Sequence, residues 1–274
     1  MRQLFADLRS GQALNQARRR MLLPTGACLH ALAGAQGRYF GTKVYSTHPK
    51  HGAWFHFFLY DAETARPLAL FDANWLGQIR TGAASGYATD LLATGEASVV
   101  GLIGSGFQAA SQLEALRVVR NINEVRVWSR DAAKRERFAA EHGAIAVDTA
   151  EAAVRGADIV ATATFAKDPV FDAAWLAPHA HVNAMGSNQA TKREVPRELI
   201  QQATIIAVDA LDQAQLESGD LILNGIDWND PRLVELKDLD APKERTGWTM
   251  FKSNGLGVED VAAAAFVYEQ LTCR

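Results

Sequence analysis

The sequence predicts an α/β fold built on a parallel sheet, and two observations support this prediction. The first is a short apolar run, Val99–Ile103, that leads directly into a glycine-rich segment and then into a helical pattern. The second is a series of further apolar, strand-like runs along the chain: EVRVWSR (124–130), AIAV (144–147), DIVATAT (158–164), HVNAMG (181–186) and TIIAVD (204–209). Strand-like runs that alternate with helical segments are typical of βαβ units.

The glycine-rich segment has the composition of a dinucleotide-binding turn. It reads Gly104-Ser105-Gly106-Phe107-Gln108-Ala109. Glycines let the backbone turn sharply and approach a pyrophosphate, and a small third residue lets the helix pack closely on the strand. The helix N-terminus then faces the negative charge. The sequence therefore predicts a Rossmann domain, and we assign to its cofactor site the residues Gly104, Ser105, Gly106, Phe107 and Gln108.

The segment before this turn has the pattern of strands, hairpins and one helix. Strand-like runs occur at GTKVYS (41–46), WFHFFLYD (54–61) and RPLALFD (66–72). Asp72 and Asn74 are suitable N-caps for a helix over residues 75–93, and Gly95 follows as a stop signal. This part of the chain is expected to form a smaller β-rich domain.

The segment after the predicted Rossmann strands contains a short helical stretch, 210–219, and then irregular sequence around 225–231. The C-terminal run 251–271 is predicted to be a glycine-containing loop followed by an alanine-rich helix. The first turn of that helix carries Glu259 and Asp260, which suit the positive end of the helix dipole. We expect this helix to return to the N-terminal part, with the substrate in a cleft beside the Rossmann core.

Composition narrows the partners that the protein can have. The chain has 274 residues, 22% of them charged and 48% hydrophobic, with a net charge of -3, which is ordinary for a globular enzyme and favours neither nucleic acid nor a membrane surface. Cys28 and Cys273 cannot form a disulfide framework and fit a reducing compartment. No apolar run reaches the roughly 18 residues of a membrane span. We therefore predict a cytoplasmic protein with small-molecule partners.

The end of the second Rossmann strand indicates which dinucleotide binds. An acid there binds the ribose 2′-hydroxyl, whereas small polar and basic residues leave room for a 2′-phosphate. The strand ends at Ser129 and Arg130, with Lys134 soon after, while Asp131 belongs to the next helix. We predict NADPH, with NADH as the alternative, and assign Ser129, Arg130 and Lys134 to the cofactor site. The other interpretation is that these cations form a solvated helix face.

Several polar residues are assigned structural roles. Three histidines lack a nearby cysteine or carboxylate, so we predict no metal site at His48, His51 and His56. His179 and His181 are interpreted as satisfying backbone groups at a strand start. Asp209, at the end of a strand, is interpreted as the cap of the next helix rather than as a cofactor contact.

Four segments taken together resemble the ornithine cyclodeaminase/mu-crystallin family: Gly41–Ser46, Leu76–Ser85, Gly104–Ala109 and Ser253–Asp260. The resemblance extends from about residue 15 to the end. It implies a nicotinamide dinucleotide on a Rossmann domain at 96–249, inserted in a smaller α/β domain at 1–95 and 250–274 that binds substrate and forms a homodimer. Family members carry a further helix and strand before the matched region, so the chain is expected to be shorter at its N-terminus.

The resemblance also implies roles for individual residues. Lys43 matches the family's substrate lysine and Arg80 its substrate-carboxylate arginine, and we treat both as catalytic. Arg18 matches a further carboxylate-binding arginine, with Arg19 and Arg20 as alternatives after a small register shift. We assign further cofactor contacts to Thr81, Thr164, Met185, Ser187 and Ser253.

One difference from the family pattern bears on the chemistry. Ornithine cyclodeaminases place a catalytic aspartate where this chain has Asn188, which can orient a substrate but has no accessible pKa for proton transfer. Reduction of a ketimine does not need a catalytic carboxylate at this position, since an iminium is already electrophilic. We therefore expect NADPH-dependent reduction of a cyclic ketimine carboxylate, Δ1-pyrroline-2-carboxylate to L-proline, with the piperideine analogue reduced to L-pipecolate as a second reaction. The alternatives are an alanine or arginine dehydrogenase, an ornithine cyclodeaminase, and an NADPH-dependent binding protein without turnover.

Overall fold

The computed structural model describes residues 1–240 and 246–272, and the chain forms two compact units. The first unit comprises Met1–Thr81 and Gly255–Arg274, and the second comprises Gly82–Asn254. The second unit is thus inserted in the sequence of the first. Cys273 lies outside the described residues, and Cys28 begins a strand of the first unit.

The first unit consists of an antiparallel sheet with helices at its sequence ends. Its elements are α1 (Arg2–Ser10), β1 (Ala13–Leu22), β2 (Cys28–Gln36), β3 (Tyr39–His48), β4 (Gly52–Asp61), β5 (Pro67–Asp72), the first part of α2 (Asn74–Leu92) and α9 (Gly257–Thr272). The five strands pair in sequence order, each antiparallel to the next.

The core of the first unit lies between the sheet and α9. It contains Phe57 and Leu59 of β4 together with Val261 and Ala264 of α9, all fully buried. Buried residues alternate along β3, as expected for a strand with one covered face. This alternation places Lys43 on the covered face.

The three predicted strands and the helix of this region are confirmed, but α1, β1 and β2 were not among the predicted elements. The helix α2 begins at Asn74, whose backbone N–H donates to the side chain of Asp72 at 3.1 Å. In β1, only Arg18, Arg19 and Arg20 were considered, as candidates for binding the substrate carboxylate. The residues of this strand, ALNQARRRML, lack apolar alternation, and its pairing with β2 shifts register between Gln16 and Arg19. Pairing to the neighbouring strand, rather than its own pattern, makes this segment a strand.

The second unit is a Rossmann-type α/β structure, which confirms the predicted fold class. Its strands are β6 (Val99–Ile103), β7 (Glu124–Trp128), β8 (Ile145–Ala146), β9 (Ile159–Thr162), β10 (His181–Ala184), β11 (Ile205–Val208), β12 (Leu233–Glu235) and β13 (Thr249–Lys252). Its helices, after the second part of α2, are α3 (Phe107–Val119), α4 (Ala132–His142), α5 (Ala150–Val154), α6 (Arg197–Gln202), α7 (Leu211–Glu217) and α8 (Gly219–Ile222).

The eight strands are parallel and follow the order β12-β11-β13-β10-β9-β6-β7-β8. The order reverses at β6, which pairs with β7 on one side and β9 on the other. The prediction of a loop at the start of the run 251–271 was wrong, because Phe251 and Lys252 belong to β13. That strand lies inside the sheet between β10 and β11, so its four residues are buried on both faces. Among the described residues, no helix is long and apolar enough to cross a membrane.

Candidate active site

A cluster of buried charges forms in the first unit around Asp260. The Nζ atom of Lys43 lies 2.9 Å from Oδ1 and 2.7 Å from Oδ2 of Asp260. Arg80 donates from Nε to Oδ1 of Asp260 at 3.1 Å and from Nη1 to Glu259 at 2.8 Å. All four side chains are buried. Asp260 therefore bridges the two cations that the sequence analysis predicted to be catalytic.

Close backbone contacts fix the position of the two carboxylates. A Cβ atom added to Gly34 of β2 would lie 2.5 Å from the backbone N of Val258, and one added to Gly257 would lie 2.6 Å from the carbonyl oxygen of Ala33. Only glycine permits these approaches between β2 and the start of α9. The first turn of α9 is thus held against the sheet, with Glu259 and Asp260 beside Lys43 and Arg80.

Burial and neighbouring charges change the protonation behaviour of this cluster. Burial, followed by the positive charge of Arg80, lowers the pKa of Lys43 from 10.5 to about 8, although Asp260 opposes the change. Burial also opposes ionisation of Asp260, but the charges of Arg80 and Lys43 hold the pKa of that carboxyl below its usual value. Burial disfavours the charged form of Arg80, yet Asp260 and Glu259 raise its pKa above the ordinary value. Lys43 is therefore the group that can exchange a proton near neutral pH.

Arg18 joins this cluster from β1. Its Nη2 donates to the carbonyl oxygen of Gly255 at 3.3 Å, and its charge contributes to the lowered pKa of Lys43. Gly255 has φ +78°, and a Cβ atom added there would overlap the guanidinium of Arg80. Arg18 is buried, whereas Arg19 and Arg20 are exposed. Of the three arginines considered in the sequence analysis, Arg18 is the one directed into the cluster.

The glycine-rich turn of the second unit has the geometry that a dinucleotide requires. Gly104 has φ +111°, and a Cβ atom there would lie 2.5 Å from the carbonyl oxygen of Ala163. Gly106 is the N-cap of α3, and a Cβ atom there would meet nothing within 4 Å, so the N-terminus of α3 opens to solvent. Phe107 is 42% exposed at the first position of that helix, and Gln108 is partly buried. A helix N-terminus of this kind is a favourable place for the negative charge of a pyrophosphate.

The end of β7 carries the residues predicted to select the cofactor. The Oγ atoms of Ser105 and Ser129 are 2.8 Å apart, which links the glycine-rich turn to this strand end. Asp131 caps α4 by accepting from the backbone N–H of Lys134. The Nζ of Lys134 also lies 3.5 Å from Asp131. Arg130 is exposed and makes no ion pair or hydrogen bond with any described residue. A cation without a partner thus stands at the strand end.

The other predicted cofactor residues occupy ends of later strands of the second unit, with one exception. Thr164 follows β9, Met185 and Ser187 follow β10, and Ser253 follows β13. The exception is Thr81, in the first unit, whose hydroxyl donates to the carbonyl oxygen of Gly77 at 2.7 Å. Asn188 is partly buried and belongs to the second unit.

Three of the structural interpretations need correction. Asp209 does not cap α7, whose N-cap is Ala210; its Oδ2 instead accepts from the backbone N–H of Asn254 at 2.7 Å. His181 bonds to side chains, with Nδ1 2.9 Å from the hydroxyl of Thr249. His179 lies 2.9 Å from the carboxylate of Asp158 and likewise has a side-chain partner. Within the described ranges, no group of three or more His, Cys, Asp or Glu side chains is placed to hold a metal ion.

The acidic members of the site were not predicted as site residues. Glu259 and Asp260 were expected to interact with the helix dipole, whereas the structure pairs them with Arg80 and Lys43. The motif Ser253–Asp260 contained the signal, because two adjacent acids at a buried helix start need cationic partners. A further set of residues, not predicted from the sequence, forms a fully buried polar network in the second unit: Glu194, Asp220 and Lys252.

The protein is a dinucleotide-dependent α/β oxidoreductase. The features that define this class are a Rossmann sheet with an open glycine-rich turn, and a buried lysine and arginine held by carboxylates. A model of the ornithine cyclodeaminase/mu-crystallin family matches residues 4–273. The chain belongs to this family, as the resemblance indicated.

Relatives and solved structures extend the comparison. The chain is 37% identical over 213 residues to the ketimine reductase mu-crystallin of Mus musculus, spanning 77% of this chain and 67% of that protein. It is similar to the Δ1-pyrroline-2-carboxylate reductase of Thermococcus litoralis in complex with NADH and L-proline, with a TM-score of 0.90, 28% identity and coverage of 98% and 90% of the two chains. It is also similar to an archaeal alanine dehydrogenase dimer with bound NAD, with a TM-score of 0.92, 31% identity and coverage of 99% and 89%.

Proposed function

We propose that the protein reduces Δ1-pyrroline-2-carboxylate to L-proline with NADPH, and that it also reduces the piperideine analogue to L-pipecolate. The observation that carries the proposal is the buried cluster of Lys43 and Arg80 around Asp260. Relatives named as a ketimine reductase and as a Δ1-pyrroline-2-carboxylate reductase support this choice of substrate class.

The charge balance of the cluster suits a carboxylate ligand. Three cationic side chains, Arg18, Lys43 and Arg80, stand against two carboxylates, Glu259 and Asp260, which leaves one positive charge on these five residues. A buried excess charge is costly unless an opposite charge compensates it. An α-carboxylate supplies that charge.

Arg80 is fixed in orientation before substrate binds. Its Nε and Nη1 are held by Asp260 and Glu259, while its Nη2 makes no hydrogen bond to any described residue. A guanidinium that is already ordered loses little conformational entropy when it binds a carboxylate. We assign Arg80 Nη2 and Arg18 to the substrate carboxylate, and Asn188 to its orientation by hydrogen bonding.

Lys43 supplies the proton of the reaction. With a pKa of about 8, its ammonium group is largely protonated at neutral pH and loses its proton more readily than an exposed lysine does. A bound reduced nicotinamide supplies the hydride that adds to the imine carbon. Lys43 donates a proton to the imine nitrogen, and Asp260 holds the lysine in place throughout.

The cofactor assignment depends on the second unit. Gly104 and Gly106 leave room for the pyrophosphate, which Ser105 and the first-turn N–H groups of α3 bind. Arg130, which has no partner among the described residues, pairs with the 2′-phosphate of NADPH. No carboxylate ends β7 to bind a free 2′-hydroxyl, since Asp131 caps α4.

The two units take different roles in this proposal. The second unit binds the dinucleotide, and the first unit binds substrate and forms a homodimer. Large apolar side chains at the surface of the first unit support dimerisation, namely Leu14, Leu22, Trp54, Leu70 and Trp75, each more than half exposed. The archaeal relative described as a dimer is consistent with this assignment.

The experiment that tests the proposal is the oxidation of NADPH by the purified protein. The substrates are Δ1-pyrroline-2-carboxylate, its piperideine analogue, and pyruvate with ammonia, and each is repeated with NADH. We expect rapid turnover on a cyclic imine, no turnover on pyruvate with ammonia, and a preference for NADPH. Turnover on pyruvate with ammonia would instead assign an alanine dehydrogenase. Binding of NADPH without oxidation of it by any substrate would refute the proposal.

A further inference from the structure

A buried carboxylate, Glu194, holds two loops of the second unit, those that follow β9 and β10. Its Oε1 accepts from the backbone N–H and the hydroxyl of Thr164, both at 2.7 Å. Its Oε2 accepts from the backbone N–H of Gly186 at 2.7 Å and from the hydroxyl of Thr162 at 2.9 Å. Each oxygen of Glu194 thus binds one backbone amide from a different loop.

Glu194 is itself held by a second set of buried charges. Oδ1 of Asp220 accepts from the backbone N–H of Glu194 at 2.5 Å and from that of Val195 at 3.1 Å. Oδ2 of Asp220 lies 2.9 Å from the Nζ of Lys252, which also donates to the carbonyl oxygen of Ser187 at 2.5 Å. The side chains of Glu194, Asp220 and Lys252 are completely buried. The proposed reaction uses none of these three groups.

The two loops lie where an α/β sheet binds its ligand. Ligands bind outside the carboxyl ends of the strands at the position where the strand order reverses. Here the order reverses at β6, whose glycine-rich turn packs against the carbonyl oxygen of Ala163 at the end of β9. Ser129 and Arg130 lie beyond β6 on the β7 side. A dinucleotide with its adenosine half there would have its other half past Thr164 and Gly186, on the β9 and β10 side.

We propose that Glu194 is a positioning residue for the nicotinamide half of the cofactor, acting through the backbone of the loops after β9 and β10. This inference rests on the proposed function, because it assumes that a dinucleotide binds at this edge of the sheet. Gly186 is part of the same arrangement, since a Cβ atom there would overlap the backbone of Thr164. The two loops are therefore in direct contact as well as bridged by Glu194.

The ionised form of Glu194 is essential to this arrangement. Both oxygens accept from backbone N–H groups, which can only donate. A glutamine at this position, in either orientation of its amide, would place its NH₂ group against one of these N–H groups. A buried donor without an acceptor costs more than an ordinary hydrogen bond contributes. Burial and the charge of Asp220 raise the pKa of Glu194, and Lys252 opposes them. Lys252 therefore favours the ionised state that the two amides require.

The test compares Glu194→Gln with Glu198→Gln, a matched change at an exposed position a few residues further along the chain. The readouts are the Kd for NADPH by titration calorimetry, amide hydrogen exchange of the peptides containing Thr164 and Gly186, and the KM for NADPH against kcat. For Glu194→Gln we expect a Kd weakened about tenfold, faster exchange in both peptides, and a larger change in KM than in kcat. The Glu198→Gln protein is expected to match the wild type in all three.

The outcomes separate this inference from the proposed function. A Kd and exchange rates in Glu194→Gln equal to those of the wild type would overturn the role of Glu194. A wild type that binds no NADPH would refute the cofactor assignment itself, whatever the exchange data show. If Glu194→Gln does not fold, Thr162→Val replaces it, with Thr162→Ser as the control that keeps the hydroxyl. The valine variant is then expected to bind NADPH several-fold more weakly than the serine variant, and equal affinities would overturn the inference.

Discussion

Asp260 separates two buried cations, and its replacement by asparagine tests the electrostatic description of the cluster. The substitution keeps the size of the side chain but removes its negative charge. Lys43 and Arg80 would then lie close together without the carboxylate that bridges them. In the wild type, Asp260 Oδ2 lies 2.7 Å from Lys43 Nζ, and Asp260 Oδ1 lies 3.1 Å from Arg80 Nε. Both cations are in direct contact with the carboxylate, so both lose a stabilising charge when it is removed.

The magnitude follows from the burial of all three groups. Removing one partner of a buried ion pair costs about 3–5 kcal/mol because the other charge remains uncompensated. Lys43 avoids part of that cost by losing its proton, and each unit of pKa change corresponds to about 1.4 kcal/mol. We therefore expect the free energy of unfolding to fall by roughly 2–4 kcal/mol and the pKa of Lys43 to fall by about one to two units below its wild-type value.

The assay is the dependence of kcat on pH, together with urea denaturation. In the wild type, kcat is expected to decrease as the pH rises through about 8, because Lys43 must be protonated to donate. In Asp260→Asn the same decrease is expected at a lower pH. Glu63→Gln, at an exposed position of the first unit, serves as the control. An Asp260→Asn protein with an unchanged pH profile and unfolding within about 1 kcal/mol of the wild type would show that the carboxylate does not set the pKa of Lys43.

Three further predictions concern the second unit. The side chain of Arg120 is only 6% exposed, and it donates to the carbonyl oxygens of Thr89, Asp90, Ala93 and Thr94 at the C-terminal end of α2. Arg120→Met is therefore expected to lower the free energy of unfolding by about 3 kcal/mol in urea denaturation. A loss below about 1 kcal/mol would contradict this capping role. Arg130→Ser is expected to raise the KM for NADPH about tenfold and to leave the KM for NADH unchanged, whereas equal effects on both would contradict a 2′-phosphate contact. Burial lowers the pKa of His181 from 6.5 to about 3. As the pH falls below 6.5, His181 therefore becomes protonated in the unfolded chain but stays neutral in the folded protein. Stability linked to His181 is therefore lost between pH 6.5 and about 3, by an amount on the order of 4 kcal/mol, and a His181→Gln protein is expected to show a flatter dependence of Tm on pH in this range. Parallel curves for the two proteins would contradict the prediction.

The parts of the fold that the sequence predicts correctly are those with a local cause. The turn at Gly104 and the strands of the Rossmann core depend on short apolar runs and on glycine at fixed spacing, which a reader of the sequence can see directly. The strand β13 has only four residues, and two of them, Thr249 and Lys252, are polar, so its place inside the sheet was not predictable. The strand β1 was not predicted because its three consecutive arginines interrupt the apolar pattern of a strand, although one of them, Arg18, is buried.

The candidate site divides in the same way. Lys43 and Arg80 were found through motifs that lie next to them in the sequence. Their partner Asp260 is 217 positions from Lys43 and 180 from Arg80, and no local pattern connects residues so far apart. The buried Glu194 was likewise missed, because a single glutamate before a short helix usually indicates an exposed helix start. Only the folded sheet brings its carboxylate to the amides of Thr164 and Gly186.

The position of β13 has a consequence for the order in which the chain folds. This strand is synthesised after β10 and β11, yet it lies between them. Until Thr249–Lys252 has left the ribosome, β10 and β11 cannot be joined, and each presents an edge with unpaired backbone groups. The nascent second unit is thus open to strand pairing with other chains until late in synthesis. A chaperone that shields these two edges during translation would increase the yield of folded protein more than one that acts on the completed chain.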